Sequence, residues 1–549
     1  MGTRGTDQER RSRRPGRARS LVAVGAAVAA LTAGTSVAHA ERSGPARPAA
    51  PAAPSSFSST GPGLLGHDGR WLTDSQGRVV LMHGVNLVAK DLRTPAERGF
   101  DDDDAQWLQD NGFDAVRLGL SGESLMPTPG VIDTAYLASF AQTAQLLTDH
   151  GLLVLIDLHQ DGWGPTTSGN GFADWMTFTH GAQNTHTGFP LYYITNPAIQ
   201  AAFDSFWNNE QSSDGVGIED QVATMFKALA GAVGSNPDVL GYDILNEPWP
   251  GTDWGPCIND PDGCPARDAS GLDQLHDKVT TAIRSEDSDH LVFGEPYVLF
   301  NFGQSKTHIA LPGGDANSGM SWHMYTTDVK LEPNVIANAL GWSHKTGGAL
   351  LNTEFGAVTK PADIDRMVGE MDNALMPWLW WSYDEFVSDM TADPTASINT
   401  DVSGALIRPH PVQVAGTPSA LDYDRAGQVL RFTWDAASPD GTRLPAGTET
   451  VIKVPPSVYG SGGYSVKVTG GTVTSAADAD ELIVTTDPGA ASTFVKVWAA
   501  GTPEPPDVKP TDTTTTTTAG SGTSTTVATE PADTADAATP VAGSPTFTG

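Results

Sequence analysis

Gly241-Tyr-Asp-Ile-Leu-Asn-Glu-Pro-Trp249 is an apolar run that delivers a carboxylate at its end. Leu350-Leu-Asn-Thr-Glu-Phe-Gly-Ala357 repeats the form further along the chain. A run this apolar reads as a parallel strand buried on both faces, and a polar residue at its carboxyl end reads as a group presented at one mouth of a barrel. Two such carboxylates, Glu247 and Glu354, facing one cleft are the least equipment that cleaves a glycosidic bond.

Working outward from these runs, further apolar segments at 79–88, 115–120, 152–159, 290–296, 319–325 and 377–383 alternate with helical periodicity. That periodicity is clearest at 133–150, 218–234, 271–285 and 361–374. With 239–247 and 348–356 they make eight strands in a βα rhythm, which predicts an α/β fold, a closed (β/α)8 TIM barrel over 64–404. Segment 64–76 reads as a small hairpin plugging the barrel floor. The long aromatic stretch 160–217 follows the third strand, so it rises from the face where barrel active sites lie. Short alternating segments at 428–434, 449–454, 463–468, 481–485 and 493–499 predict a small C-terminal antiparallel β-sandwich over 405–501. Packing against the barrel is its expected role, with sugar or membrane binding the alternative.

The ends of the chain have their own character. Residues 1–40 carry a basic stretch (Arg10 to Arg19), an apolar core from Leu21 to Ala33 and Ala38-His39-Ala40, the form of an export signal. The Sec and twin-arginine routes both fit. The apolar core is short for a membrane anchor. Residues 41–63 read as a disordered linker and 502–549, rich in Thr, Pro and Ala, as a disordered tail with no apolar span. The expectation is a secreted, monomeric protein with no transmembrane anchor in the mature chain. Removing the signal takes away seven arginines and two acids, so the net charge moves from −33 to −38. Such a surface argues against nucleic acid as a partner, but not against a neutral sugar headgroup. The two cysteines, Cys257 and Cys264, are close in sequence with turn formers between them, most simply one disulfide in an exported chain. With no His or further Cys nearby, a zinc site is not expected there.

A carboxylic acid that donates a proton near neutral pH must hold it more tightly than a free one does, and a nearby second carboxylate contributes to that. Glu247 suits the acid/base role and Glu354 the nucleophile. Other polar residues end predicted strands. Arg117 is either a barrel-mouth salt bridge or the partner of Glu354. His159, with Asp157, Gln160 and Asp161, is either a sugar contact or a structural hydrogen bond. Tyr325, beside His323, is placed to reach Glu354. Of Trp380 and Trp381, one suits a flat platform under a sugar and the other the core.

Arg117, His159, Asn246, Glu247, His323, Tyr325, Glu354 and Trp381 together resemble, in order, the pattern of glycoside hydrolase family 5, a retaining (β/α)8 family. The resemblance covers about residues 64–400. Within it, Gly84-Val-Asn-Leu-Val-Ala-Lys90, Asp157-Leu-His-Gln-Asp161, Asn246-Glu-Pro248 and Arg408-Pro-His-Pro411 are similar to the endoglycoceramidases, which release an intact oligosaccharide from ceramide. The resemblance implies that Lys90, Asp157, His159 and Asp161 bind the first sugar, and Asn246, His323, Tyr325 and Trp381 are read as further substrate-binding residues. It implies a glycosphingolipid substrate at a micelle or membrane surface and a lipid groove formed with help from the 160–217 insert; nothing in the sequence suggests a metal or other cofactor, since the two carboxylates suffice. After Asp161 the chain continues Gly162-Trp163, where an aromatic is expected directly, so glucose and galactose both stay open as the first sugar. A family 5 β-glucanase or mannanase and a non-catalytic carbohydrate-binding surface protein are the alternatives.

Overall fold

The computed structural model describes residues 62–326 and 328–507. The predicted signal, nearly all of the linker and nearly all of the tail lie outside them.

Eight parallel strands close into a barrel. They are β4 (His83–Val88), β5 (Ala115–Ser121), β6 (Leu153–His159), β7 (Val239–Asp243), β8 (Leu291–Gly294), β9 (Ser318–Met324), β10 (Ala349–Gly356) and β11 (Trp378–Trp381), with β11 pairing back to β4. Side chains alternate in and out along each strand. Val116, Leu118 and Leu120 of β5 therefore pack outward on the helices, while Arg117 points into the lumen. Helices at Thr134–Asp149, Ile218–Val233, Leu272–Arg284 and Pro361–Ala374 fall within a residue of the periodicity read above. The helix Glu332–Thr346 was not among those read. Its apolar face is broken by Ser343 and its first turn carries a proline, which blurs the period.

The barrel floor is apolar. Met82, Ala115, Leu153, Leu155, Leu240, Leu291, Phe293, Ala349, Leu351 and Leu379 fill it. Leu65, just before β1 (Gly66–Asp68), and Leu72 of β2 (Trp71–Thr73) complete the same cluster, with β1 and β2 forming the expected floor hairpin. The hairpin does more than plug. Through β3 (Val79–Val80) it joins a seven-stranded sheet with β12 (His410–Val414), β15 (Glu449–Lys453), β17 (Gly471–Val473) and β18 (Glu481–Thr486). Segment 79–88 is thus two strands, β3 and β4, not one. A four-stranded sheet faces it, built from β13 (Thr417–Asp424), β14 (Val429–Asp435), β16 (Tyr464–Thr469) and β19 (Ser492–Ala499). Phe432, Trp434, Ile452, Val484, Val495 and Val497 fill the space between the sheets. Among the described residues, no helix is long and apolar enough to cross a membrane.

Several strands are shorter than read, and one shortening moves a candidate residue. β7 ends at Asp243, not at Glu247. Glu247 instead sits in the turn that follows, in the left-handed region at φ 42°.

Candidate active site

Arg117 organises the layer above the apolar floor. It is fully buried, and its guanidinium reaches Asp157 Oδ1 at 2.9 Å, Asp243 Oδ2 at 2.9 Å and Glu354 Oε1 at 2.6 Å. It also donates to Asn86 Oδ1 at 3.2 Å and Asn246 Oδ1 at 3.1 Å. Five strand ends or turns are thereby tied to one cation, so both readings of Arg117 hold at once. Burial opposes its charge, but Asp157, Asp243 and Glu354 outweigh that and raise its affinity for the proton further.

Glu354 lies within β10 where the pairing with β9 slips between Asn352 and Glu354. Such a bulge re-aims a side chain. Asn86 Nδ2 donates to the Thr353 carbonyl at 2.8 Å, satisfying the backbone at the slip. The carboxylate is held between Arg117 and the Tyr325 hydroxyl, which donates to Oε2 at 3.0 Å. Glu247 reaches the same space from the turn after β7. Its Oε1 accepts from Asn301 Nδ2 at 2.9 Å and lies 3.0 Å from His323 Nδ1. One oxygen of each glutamate and a nitrogen of His323 lie within 4.8 Å of one another. Among the described residues this is the one such cluster of potential metal ligands. However, both His323 nitrogens face carboxylates, and Glu354 is already held by Arg117 and Tyr325, donors that a cation would have to displace.

A second group flanks the pair. His159 Nδ1 lies 2.8 Å from Asp157 Oδ2, and its ring stacks on Trp381 at 5.4 Å. Burial works against charge on His159, but Asp157 and Asp161 overcome it and raise its pKa to about 9. Lys90 Nζ pairs with Asp161 Oδ2 at 2.7 Å and sits 4.3 Å over the Trp381 ring. Burial pushes Asp161 up, but Lys90 and His159 win and hold it far below the usual carboxylate range. Trp381 is therefore the tryptophan at the site, while Trp380 packs on Phe355 in the core.

Two opposed carboxylates at the carboxyl ends of barrel strands match what a sequence comparison finds independently. Residues 74–386 match the family model described as cellulase (glycosyl hydrolase family 5), and 408–497 match the glycoside hydrolase family 5 C-terminal domain. The chain belongs to glycoside hydrolase family 5. As a member it is a glycoside hydrolase. It is 33% identical over 458 residues to endoglycoceramidase I of Rhodococcus hoagii (strain 103S), covering 78% of this chain and 87% of that one. It is 27% identical over 446 residues to an endoglycoceramidase of Cyanea nozakii, covering 72% and 85%. Among solved structures, endo-glycoceramidase II from Rhodococcus sp. superposes with a TM-score of 0.64 at 25% identity, covering 78% of this chain and 99% of that one. An endogalactoceramidase shares the fold, with a TM-score of 0.61 at 22% identity over 79% of this chain and all of that one.

In this family 5 enzyme several residues at the site were not singled out from the sequence. Asp243 lies inside the run that opened the reading, masked by its apolar neighbours. Glu295 ends Leu291-Val-Phe-Gly-Glu-Pro296, which has the same form as the two glutamate-bearing runs. That shared form was the available signal. Asn301 comes from the 3₁₀ turn Val298–Phe302, and no pattern marks it. Gln160 proves to be a backbone clamp: its Nε2 donates to the carbonyls of Asn246 at 2.8 Å and Glu247 at 2.9 Å.

The 160–217 insert is packed largely through its own aromatics. Trp163, Phe172, Tyr193 and Phe203 are buried and pack on one another and on Phe206, so most of its aromatics form its own core. Gly162 is left-handed at φ 63°, and a Cβ there would lie 2.5 Å from the Tyr192 ring. Tyr192 thus occupies the space that an aromatic side chain at 162 would need. Cys257 and Cys264 are joined in a disulfide with Cα atoms 4.5 Å apart, in the loop that follows Glu247.

Proposed function

We propose that this enzyme is an exported, retaining endo-β-glycosidase that hydrolyses the bond between oligosaccharide and ceramide in glycosphingolipids. The observation that carries the retaining reading is the approach of Glu247 and Glu354, with oxygens within 4.8 Å of each other. Retaining pairs stand about 5–5.5 Å apart, whereas inverting pairs leave about 6.5–9.5 Å for a water.

In the double displacement, Glu354 attacks the anomeric carbon. Glu247 gives its proton to the departing ceramide oxygen as the glycosidic bond breaks. A water then enters, Glu247 takes one of its protons as its oxygen bonds to the anomeric carbon, the bond to Glu354 breaks, and the oligosaccharide is released with both glutamates back in their starting states. Tyr325 and Arg117 hold the nucleophile in line. His323 and Asn301 orient the acid. Asn246 and the Lys90–Asp161–His159–Trp381 group suit the hydroxyls and apolar face of the first sugar. The endoglycoceramidase names of the relatives support ceramide as the leaving group over a polysaccharide chain. The exposed apolar residues favour it too. Leu92, Val131, Phe189 and Val329 all lie in loops that leave the carboxyl ends of barrel strands, around the mouth where a micelle or membrane surface would meet the enzyme. Glucose and galactose remain the two candidates for the first sugar.

The test is incubation of residues 41–549 with a mixed panel of glycosphingolipids in mild detergent, read by mass spectrometry. Free ceramide with intact oligosaccharide is expected. Cleavage of β-glucan or mannan instead would move the enzyme to the polysaccharide reading, and binding without turnover would make it a surface lectin. Glu354→Gln is expected to lower turnover at least about a thousandfold while glycolipid still binds. Near-normal activity would refute the nucleophile assignment.

A further inference from the structure

Glu295 is buried at the mouth of the barrel, in the segment just after β8, and touches Glu247 by two separate routes. One carboxylate oxygen accepts the backbone N–H of Glu247. The other lies 2.5 Å from His323 Nε2, the far side of the imidazole whose Nδ1 faces the Glu247 carboxylate at 3.0 Å. Among the described residues, no other side chain of the site holds both the main chain of Glu247 and the partner of its carboxylate.

That grip matters because of how Glu247 is presented. A non-glycine residue at φ 42° is in a costly conformation that persists only where its surroundings over-determine it. Here the peptide on its amino side is anchored by Glu295, and Gln160 holds the carbonyls of Asn246 and Glu247. The imidazole needs the same support. It is fully buried, so its orientation depends on the groups at its two nitrogens. Burial disfavours charge on His323, yet Glu295 and Glu354 together raise its pKa well above the ordinary value. Glu295 is itself raised by burial, against the pull of His323. The other ionised groups near it are Asp243 and Arg117, which are paired with each other.

We propose that Glu295 is a positioning residue for proton donation: it fixes the backbone of Glu247 and, through His323, the direction of the Glu247 carboxyl. It does not touch the bond that breaks. The proposal rests on the reading of Glu247 as the acid, and it makes a demand that mere structural support does not. Loss of Glu295 must hurt only where the leaving group needs a proton. A ceramide alkoxide needs one and a dinitrophenolate does not.

The experiment compares kcat/KM of wild type, Glu295→Ala, Glu295→Gln and Glu247→Ala on a glycolipid that the enzyme cleaves and on the dinitrophenyl β-glycoside of the same sugar. Circular dichroism and thermal unfolding check each variant for folding. Glu295→Ala is expected to lose about 10²-fold on the glycolipid but less than about threefold on the dinitrophenyl glycoside. Glu295→Gln keeps an acceptor for the Glu247 N–H, so it is expected to regain about tenfold over the alanine variant on the glycolipid. Equal losses on both substrates, or none on either, with Glu247→Ala still showing the split, would overturn the proposal alone. If Glu247→Ala shows no split, the acid assignment falls and this inference falls with it.

Discussion

His159 carries the clearest pH signature at the residue scale. Its pKa, raised to about 9 in the fold against an ordinary 6.5, means that the folded state holds the proton more tightly than the unfolded chain. The stabilisation is complete below pH 6.5 and fades as pH rises through 9. We therefore expect unfolding free energy to decline across that window, and the decline to be smaller in His159→Asn. Nitrogen NMR of the labelled imidazole at pH 7.5 should show a doubly protonated ring; a neutral ring would contradict this account. The charge has a use beyond stability. It keeps the buried Asp157 and Asp161 paired beside Trp381, on the surface proposed to receive the first sugar.

Elements decide how the two glutamates reach one another. β10 delivers Glu354 from within the strand, using the slip at Asn352–Glu354 to turn the side chain. β7 stops short, and a strained turn carries Glu247 the rest of the way. The loop beyond that turn contains the helices Trp254–Asn259 and Pro265–Ser270, and the disulfide joins Cys257 of the first to Cys264 just before the second. A bridge spanning a sequence separation of 7 removes little freedom from the unfolded chain, about 2–3 kcal/mol by loop entropy. Cys257→Ser with Cys264→Ser is expected to lower the urea unfolding free energy by about that amount, with mass spectrometry of the unreduced wild type showing the bridge. An unchanged free energy would mean that the loop is ordered without it.

The whole molecule is held together beneath the barrel. Asp114, just before β5, pairs with Lys453 of β15 at 2.8 Å and His410 of β12 at 2.6 Å, and accepts from the backbone of His83 at 3.1 Å. Burial opposes its charge, but Lys453 and His410 prevail and hold it below the usual carboxylate range, so this contribution is present at neutral pH and lost in acid. His83 stacks between His410 and Trp378, sealing the junction. The barrel and the C-terminal sheets should therefore unfold together. Asp114→Ala leaves two basic side chains without their carboxylate and is expected to cost about 3–5 kcal/mol. Differential scanning calorimetry should show one transition moved down, with activity at low temperature retained. A separate early transition for the C-terminal sheets would show that they are not coupled this way.

Much of the barrel was legible because buried parallel strands must be apolar throughout, which makes both their number and the polar residue at each end visible along the chain. Glu247, Glu354, Tyr325 and Trp381 stood out for that reason. Other features had no local signature. β12 and β13 were missed because Arg408-Pro-His-Pro411 and Thr417-Pro418 interrupt the alternation with prolines. Which rings of the aromatic insert face inward was not legible either, because composition does not say which way a ring faces. By itself the sequence determined the eight-stranded barrel and its family, and it marked Glu247 and Glu354 as candidates, since hydrophobic burial and strand-end chemistry are written in contiguous residues. Only the tertiary structure decided that Arg117 ties five strand ends or turns together, that β7 yields to a left-handed turn at Glu247, and that Glu295 stands behind it. Those are meetings of residues far apart in the chain, and their energies exist only once barrel closure removes water and brings the charges within hydrogen-bond reach.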